Sequence, residues 1–500
     1  MWLERLGALV VVLGACGSKS SDPAPPPPGP VPSLPGLGDT TEPAEPTAPD
    51  FPEGTRSLEL IRTVGVRLEP GDEAKRIGTL AIDTRVRWTR TAKAKGCDKP
   101  WVEIEPRGWI CGDYVKPSKR LAMGREVPML DRGELVPGVY GKVTAPNSVS
   151  FTLVKPGEPK KKPGDKKKPA GKEGKPITST TQVDPPAATA KPPEPKMVED
   201  RPLVGSINLR QYEEVTVAGK TYWKVSQKDN EYVLRSSITQ HRPSVYGGAR
   251  LGDDTGWGVP VAFVWPRAGY QQAWITAKST GAGAVRQVGA RTPLGILETA
   301  TDPKGAVTAY RVGENEWIRA GDVRVFQPAP APALLQKGER WIDVDLDNQI
   351  LVAFEGDVPV YATMVSTGGK DTPTETGIYR MWVKESEADM KGLNGEDPYS
   401  VATVPWTQFF SPDKGLALHT AYWHDQFGVK RSHGCVNMAP RDARWLYFWS
   451  DPQVPPGWTM AAGVVEAPGS IVRVRTKAEP DPPLRGYAKK VQEARQLDRS

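Results

Sequence analysis

Apolar and polar positions alternate most regularly in the last third of this chain. Ile342, Val344 and Leu346 are separated by Asp343 and Asp345, and Asp347-Asn348 breaks the run. Ile350, Val352 and Phe354 resume it, and Glu355-Gly356-Asp357 breaks it again before Val358 to Val365. A period of two puts every second side chain on one face of a strand, so these segments predict a β-meander. Ser470 to Arg475 predicts a closing strand. Between them, Pro440 to Trp449 is the one clear helix, with Pro early and Asp442 in its first turn. The region 338–476 is therefore expected to be one domain, mostly β. The tail, 477–500, is expected to hold a short surface helix.

Three earlier segments share a second pattern: a short alternating strand, a polar turn, and a strand that opens on an aromatic and a β-branched residue. They are Trp101-Val102-Glu103-Ile104 with Gly108-Trp109-Ile110, Tyr222-Trp223-Lys224-Val225 with Tyr232-Val233, and Ala309-Tyr310-Arg311-Val312 with Glu316-Trp317-Ile318. The pattern resembles bacterial SH3-like domains, small β-barrels, and the resemblance places them at 56–118, 202–243 and 244–327. Only the first copy has the Gly before its aromatic. Such domains often hold cell-wall glycopeptide; the alternative is that their aromatics are core. Residues 119–153 have no assignment. The fold class is thus mainly β and multidomain, with small SH3-like barrels ahead of a β-rich last domain that has few helices.

Five hundred residues exceed what one core usually organises. The 50 Gly and 51 Pro crowd into a few stretches that read as linkers. Residues 16–55 form a Pro-rich stalk, which as polyproline II would reach roughly 100 Å. A Lys/Pro-rich linker covers 154–201, and Pro328 to Pro332 opens a hinge at 328–337. The formal charge of +7 is local, because nine Lys face Glu158, Asp165 and Glu173 between Lys155 and Lys175. Without aromatics to stack on bases, this run reads as a solvated spacer and no nucleic-acid partner is expected.

At the start, Leu6 to Leu13 is apolar but too short to span a bilayer, and it leads into Leu13-Gly14-Ala15-Cys16. This resembles a bacterial lipoprotein signal, which implies removal of 1–15, lipidation of Cys16 and a membrane anchor. The other reading is an ordinary cleaved signal with a chance Cys. Gly17 stands where Asp would mark inner-membrane retention, so an exported protein on the periplasmic face of the outer membrane is expected. A monomer is expected. Cys97 and Cys111 are near neighbours able to pair in an oxidising compartment, which leaves Cys435 as the odd thiol.

Three of the four His residues, His419, His424 and His433, share a domain with Cys435. A thiol needs an adjacent base and a setting that favours its anion before it becomes a strong nucleophile. His433 lies on the face of Cys435 if the stretch is extended, and His419 reaches the thiol if 418–424 and 429–435 line one cleft. Gly434 permits close approach of backbone amides to a developing oxyanion. The same residues pose a rival, a zinc site of His419, His424, His433 and Cys435, although their spacing matches no recognised zinc pattern. His424 reads as cleft-lining or structural. His241, before Pro243, reads as surface.

Leu418-His419, twelve residues, then Ser432-His433-Gly434-Cys435-Val436-Asn437 resembles the L,D-transpeptidase (YkuD) catalytic domain, as do Val365-Ser366-Thr367-Gly368, Thr372-Pro373-Thr374 and Pro405-Trp406. The resemblance implies no cofactor and no metal. It implies that Cys435 attacks the penultimate residue's carbonyl in a peptidoglycan stem peptide and expels a terminal D-Ala. An amine of a second stem peptide then takes the acyl group. It makes His419 the favoured base, with His433 as the alternative, and the backbone near Thr420 as its orienter. It gives His433, Gly434 and the Cys435 amide to the oxyanion site, with Ser432 and Asn437 as braces. Thr420 stands where the family often has Gly, and Glu375-Thr376 interrupt the family's turn before Gly377. The same acyl-enzyme also serves a carboxypeptidase, an endopeptidase or a ligase to protein Lys, and the sequence leaves the acceptor open. A wall-binding lipoprotein without activity is the non-enzymatic reading.

Overall fold

The structure, a computed structural model, describes residues 51–155, 194–252, 255–392 and 398–497. The signal-like segment 1–15, Cys16, the stalk up to residue 50 and most of the Lys-rich stretch lie outside the described residues. The described chain is mainly β, and two helices occur in it, Pro440–Trp449 and Gly486–Leu497. Neither helix is long and apolar enough to cross a membrane.

The meander forms as the alternation predicts. Strands Arg340–Asp345, Ile350–Glu355 and Val358–Met364 are antiparallel neighbours, and Ile471–Arg475 adds in parallel to the first. Asp343 and Asp345 do not face water, however; both are buried, because this sheet is covered on both sides. Asp343 lies opposite Arg473 in the parallel register, and Arg473 Nη2 and Arg475 Nε donate to its carboxylate at 2.6 and 2.9 Å. The same two guanidiniums donate to the carbonyls of Pro330 and Gln327. The Pro/Ala stretch predicted as a hinge is therefore tied to the sheet.

A second, long sheet carries the cysteine. Tyr399–Ser411 pairs with Val383–Gly392 and with Leu416–Thr420, which pairs in parallel with Val436–Met438. The upstream modules continue this sheet at both sides. Arg76–Leu80 adds antiparallel to Trp458–Ala462, and Ser206–Gln211 adds parallel to Tyr399–Ser411. At the first join a Cβ on Gly78 would lie 1.9 Å from the Trp458 ring, so only glycine lets the strands meet there. The cores fuse as well: Val66, Ile77 and Leu80 share one apolar cluster with Trp406, Leu446 and Trp458.

Each of the three repeated segments folds alike. A hairpin leads into one 3-10 turn and then a strand: Trp101–Ile104 with Trp109–Cys111, then Gly112–Tyr114 and Val115–Ser118. Lys220–Lys224 with Tyr232–Leu234 and Val307–Gly313 with Glu316–Arg319 open the other two copies. Cys97 and Cys111 form a disulfide beside the first hairpin. The unassigned segment 119–153 supplies two strands, Val139–Val143 and Val149–Val154. Val149–Val154 pairs with Lys196–Pro202, so the Lys-rich stretch joins two neighbouring strands of one module instead of separating two domains.

Candidate active site

His419 sits in Leu416–Thr420, a strand with every residue buried. The parallel register places His419 opposite Asn437 and Leu418 opposite Val436. Cys435, two residues before Asn437, thus falls beside the same strand, and His419, Cys435 and Asn437 line one cleft of about 220 Å³.

The His419 ring is held by one contact. Its Nδ1 lies 2.9 Å from the Thr420 carbonyl, which can only accept, so Nδ1 carries the proton and Nε2 keeps its lone pair. Burial pushes the imidazole down to about 4, against a smaller upward pull from that hydrogen bond, and the ring is neutral at neutral pH. Burial also pushes the Cys435 thiol up to about 11, partly offset by a hydrogen bond with the Ala417 backbone. The sequence reading asks for a setting that favours the thiolate; the structure instead holds a neutral thiol, with its Sγ 3.9 Å from the Gly415 carbonyl, in the same cleft as a neutral imidazole.

The cysteine loop is not extended. Gly434 has φ +116°, a conformation that L side chains rarely adopt, and a Cβ there would press on Leu416 at 3.0 Å. This twist removes the simple alternation that would put His433 on the face of Cys435. His433 is exposed, stacked on Tyr399 with ring centroids 4.4 Å apart, and still lines the cleft. Ser432 closes the turn: its Oγ donates to the Cys435 carbonyl at 2.5 Å and accepts from the Gly434 N–H at 3.2 Å. The Gly434 amide is accordingly committed inside the loop.

Two segments brace this turn. The Thr374 hydroxyl accepts from the Gly368 N–H at 2.9 Å and donates to the Gly434 carbonyl at 2.7 Å, which links both upstream motif fragments to the cysteine loop. His424 is buried behind Asn437. Its Nδ1 accepts from the Gln426 N–H at 3.1 Å, so Nε2 bears the proton toward the Asn437 amide at 3.0 Å. Neutral pairing there requires the Asn437 amide oxygen to face the ring. His424 is thus structural, and it does not line the cleft. Among the described residues, the group with metal-ligating spacing is Cys97, Cys111 and Asp113, two of them already joined in the disulfide; the donors of the His419, His424, His433 and Cys435 set do not converge.

His241 is not a surface residue. It is half-buried in the cleft wall with its Nε2 2.8 Å from Asn208 Oδ1, and Lys142, Ser206 and Asn208 line the same wall. Sequence reasoning missed these residues because they come from a module whose sheet joins the cysteine domain only in three dimensions. Lys142 lies on Val139–Val143, and Ser206 and Asn208 lie on Ser206–Gln211, and no local motif in the sequence marks them as cleft residues.

A buried, tautomer-fixed imidazole and an unpaired cysteine in one cleft define a class of site suited to thiol acyl transfer. Residues 339–474 match the YkuD family model, the L,D-transpeptidase catalytic domain. L,D-transpeptidase 2 of Mycobacterium tuberculosis is 30% identical over 118 residues, 22% of this chain and 29% of that protein. YciB of Bacillus subtilis, provisionally named for the same activity, is 27% identical over 119 residues, 21% of this chain and 59% of that protein. The chain thus spans less than two thirds of the length of either relative. Among solved structures, an Enterococcus faecium L,D-transpeptidase is 26% identical at a TM-score of 0.22, covering 27% of this chain and 50% of that one. The catalytic domain from that organism is 26% identical at a TM-score of 0.22, covering 28% and 98%.

Proposed function

We propose that the chain is a peptidoglycan L,D-transpeptidase that cross-links stem peptides through a thioester on Cys435. The observation that carries this reading is the His419 tautomer: with Nδ1 donating to Thr420, the Nε2 lone pair is kept for the thiol proton. In this scheme His419 Nε2 takes the Cys435 proton as sulfur attacks the donor carbonyl, forming the C–S bond. The tetrahedral intermediate collapses, the C–N bond breaks, and His419 returns the proton to the leaving D-Ala amine. An acceptor amine then attacks the thioester and releases the thiol. Ser432 holds the tight turn that presents the Cys435 amide to the oxyanion, with Gly434 giving that turn its shape. Asn437, fixed by His424, keeps the two strands in register, and His433 borders the substrate on its exposed side.

The three repeated β modules are read as SH3-like, supported by their shared hairpin, 3-10 turn and closing strand. Trp109 and Trp223 are buried and serve as core, whereas Trp317 is half-buried. The lipid anchor at Cys16 and an outer-membrane location belong to the same proposal, and the enzyme acts as a monomer on the wall.

Incubation of the full chain with tetrapeptide muropeptides, followed by mass spectrometry, tests the reading. Cross-linked dimers that disappear in Cys435→Ala support it. Tripeptide monomers without dimers would replace transfer by hydrolysis.

A further inference from the structure

One wall of the cleft is built by residues far from the cysteine domain in sequence, and strand register explains how. Lys142 is the cross-strand partner of Asn208, Asn208 of Val401, and Val401 of Met390. All four line the cleft, so they form a single row across four adjoining strands, two from the upstream module and two from the cysteine domain. One step along, Ser206 pairs with Tyr399, and both line the cleft as well.

The join is rigid. The Tyr140 ring stacks on Tyr422 at 4.0 Å between centroids, three residues from His419, and its hydroxyl donates to the Thr403 carbonyl at 3.3 Å. Arg210 of Ser206–Gln211 pairs with Glu387 of Val383–Gly392, bridging the strand Tyr399–Ser411 that lies between them. Asn208 is buried and its Oδ1 accepts from His241, so the polar wall is preorganised rather than a loose surface.

Its charge has one sign. Lys142 and Arg431 are the basic Lys and Arg side chains of the described lining, and no described lining residue is a carboxylate. A cleft of this polarity attracts an anionic ligand.

We propose that Lys142, presented on the wall that Asn208 and His241 hold, is a specificity residue that binds a free carboxylate of the peptide entering the Cys435 cleft. The proposal deepens the transpeptidase reading and rests on it for the identity of that peptide.

The test compares a tetrapeptide stem carrying free carboxylates with the same peptide fully amidated, both turned over by the full chain. Wild type is expected to favour the acid. Lys142→Ala is expected to lose about tenfold in kcat/KM on the acid, through KM, and with it most of the acid-over-amide preference. Lys142→Arg should restore that preference, and Lys142→Glu should invert it. Equal losses on acid and amide, or an unchanged preference in Lys142→Ala, would overturn the proposal while turnover itself leaves the transpeptidase reading standing. Calorimetric binding of the acid peptide to the Cys435→Ala full chain separates the two ideas. Binding that depends on Lys142 without any turnover by the wild type would sink the transpeptidase reading and keep the carboxylate site. No difference in binding between Cys435→Ala alone and with Lys142→Ala would sink the site.

Discussion

The Nδ1–H of His419 donates to the carbonyl of Thr420, its own neighbour in the strand, at 2.9 Å. The bond costs the domain no extra residue, because a strand carbonyl already points that way, yet it decides which ring nitrogen is basic. The Thr420 hydroxyl itself stays buried without a partner.

From this follows the pH dependence. With His419 down at about 4 and Cys435 up at about 11, both by burial, imidazole and thiol are neutral across the range between. Acylation should rise as pH climbs through the His419 value, where the base loses its proton, and then stay flat until the thiol ionises. The rate of Cys435 acylation by a β-lactam across pH, with ultraviolet absorbance of the thiolate read in parallel, checks this. A thiolate already present at neutral pH would show that the two groups rest as an ion pair instead.

Gly434→Ala should leave the fold in place and remove activity. The new Cβ meets Leu416 at 3.0 Å on a backbone at φ +116°, so the turn must shift and carry Cys435 with it. A misplacement of about 1 Å costs on the order of a hundredfold in rate. Activity and melting temperature measured together distinguish this from unfolding; an active, stable variant would contradict the geometry given for the loop.

Much of this site was legible before any coordinates. The meander and the helix Pro440–Trp449 follow from local pattern, because period-two alternation and an early Pro are short-range signals, whereas the joining of His419 with Cys435 rests on the resemblance of their motif to a known family. What escaped was set by contacts between distant segments. The long strand Tyr399–Ser411 contains Pro405, which argues against a central strand. The structure accommodates it by turning Thr403 and Trp406 to φ +45° and +54° around the proline. Asp343 escaped in another way: alternation marked it as solvent-facing, and only Arg473 and Arg475, 130 residues on, make its burial tolerable.

Asp343→Ala should destabilise the protein strongly, by about 3–5 kcal/mol, because two buried guanidiniums would lose their shared counter-charge. Urea unfolding of the full chain measures it. A change under about 1 kcal/mol would mean that Gln327 and Pro330 carbonyls suffice for both Arg residues.

The isolated segment 338–476 should not reproduce the full protein. Cutting upstream strips Arg76–Leu80 from Trp458–Ala462 and Ser206–Gln211 from Tyr399–Ser411, and it uncovers apolar surface that Ile77 and Leu80 now cover. Two bare strand edges beside exposed apolar surface favour aggregation. Size-exclusion chromatography and near-ultraviolet circular dichroism of the fragment check this; a monomer with a native aromatic signal would show that the shared sheet is dispensable.

The central claim is that Cys435 forms the covalent intermediate with a stem peptide. It is tested most directly by mass spectrometry of the full chain quenched during turnover of a tetrapeptide muropeptide. The account predicts an adduct equal to the substrate minus D-Ala, located on the peptide that contains Cys435, absent in Cys435→Ala and strongly reduced in His419→Gln. D-Ala release that persists in Cys435→Ala, or an adduct on another residue, would contradict it.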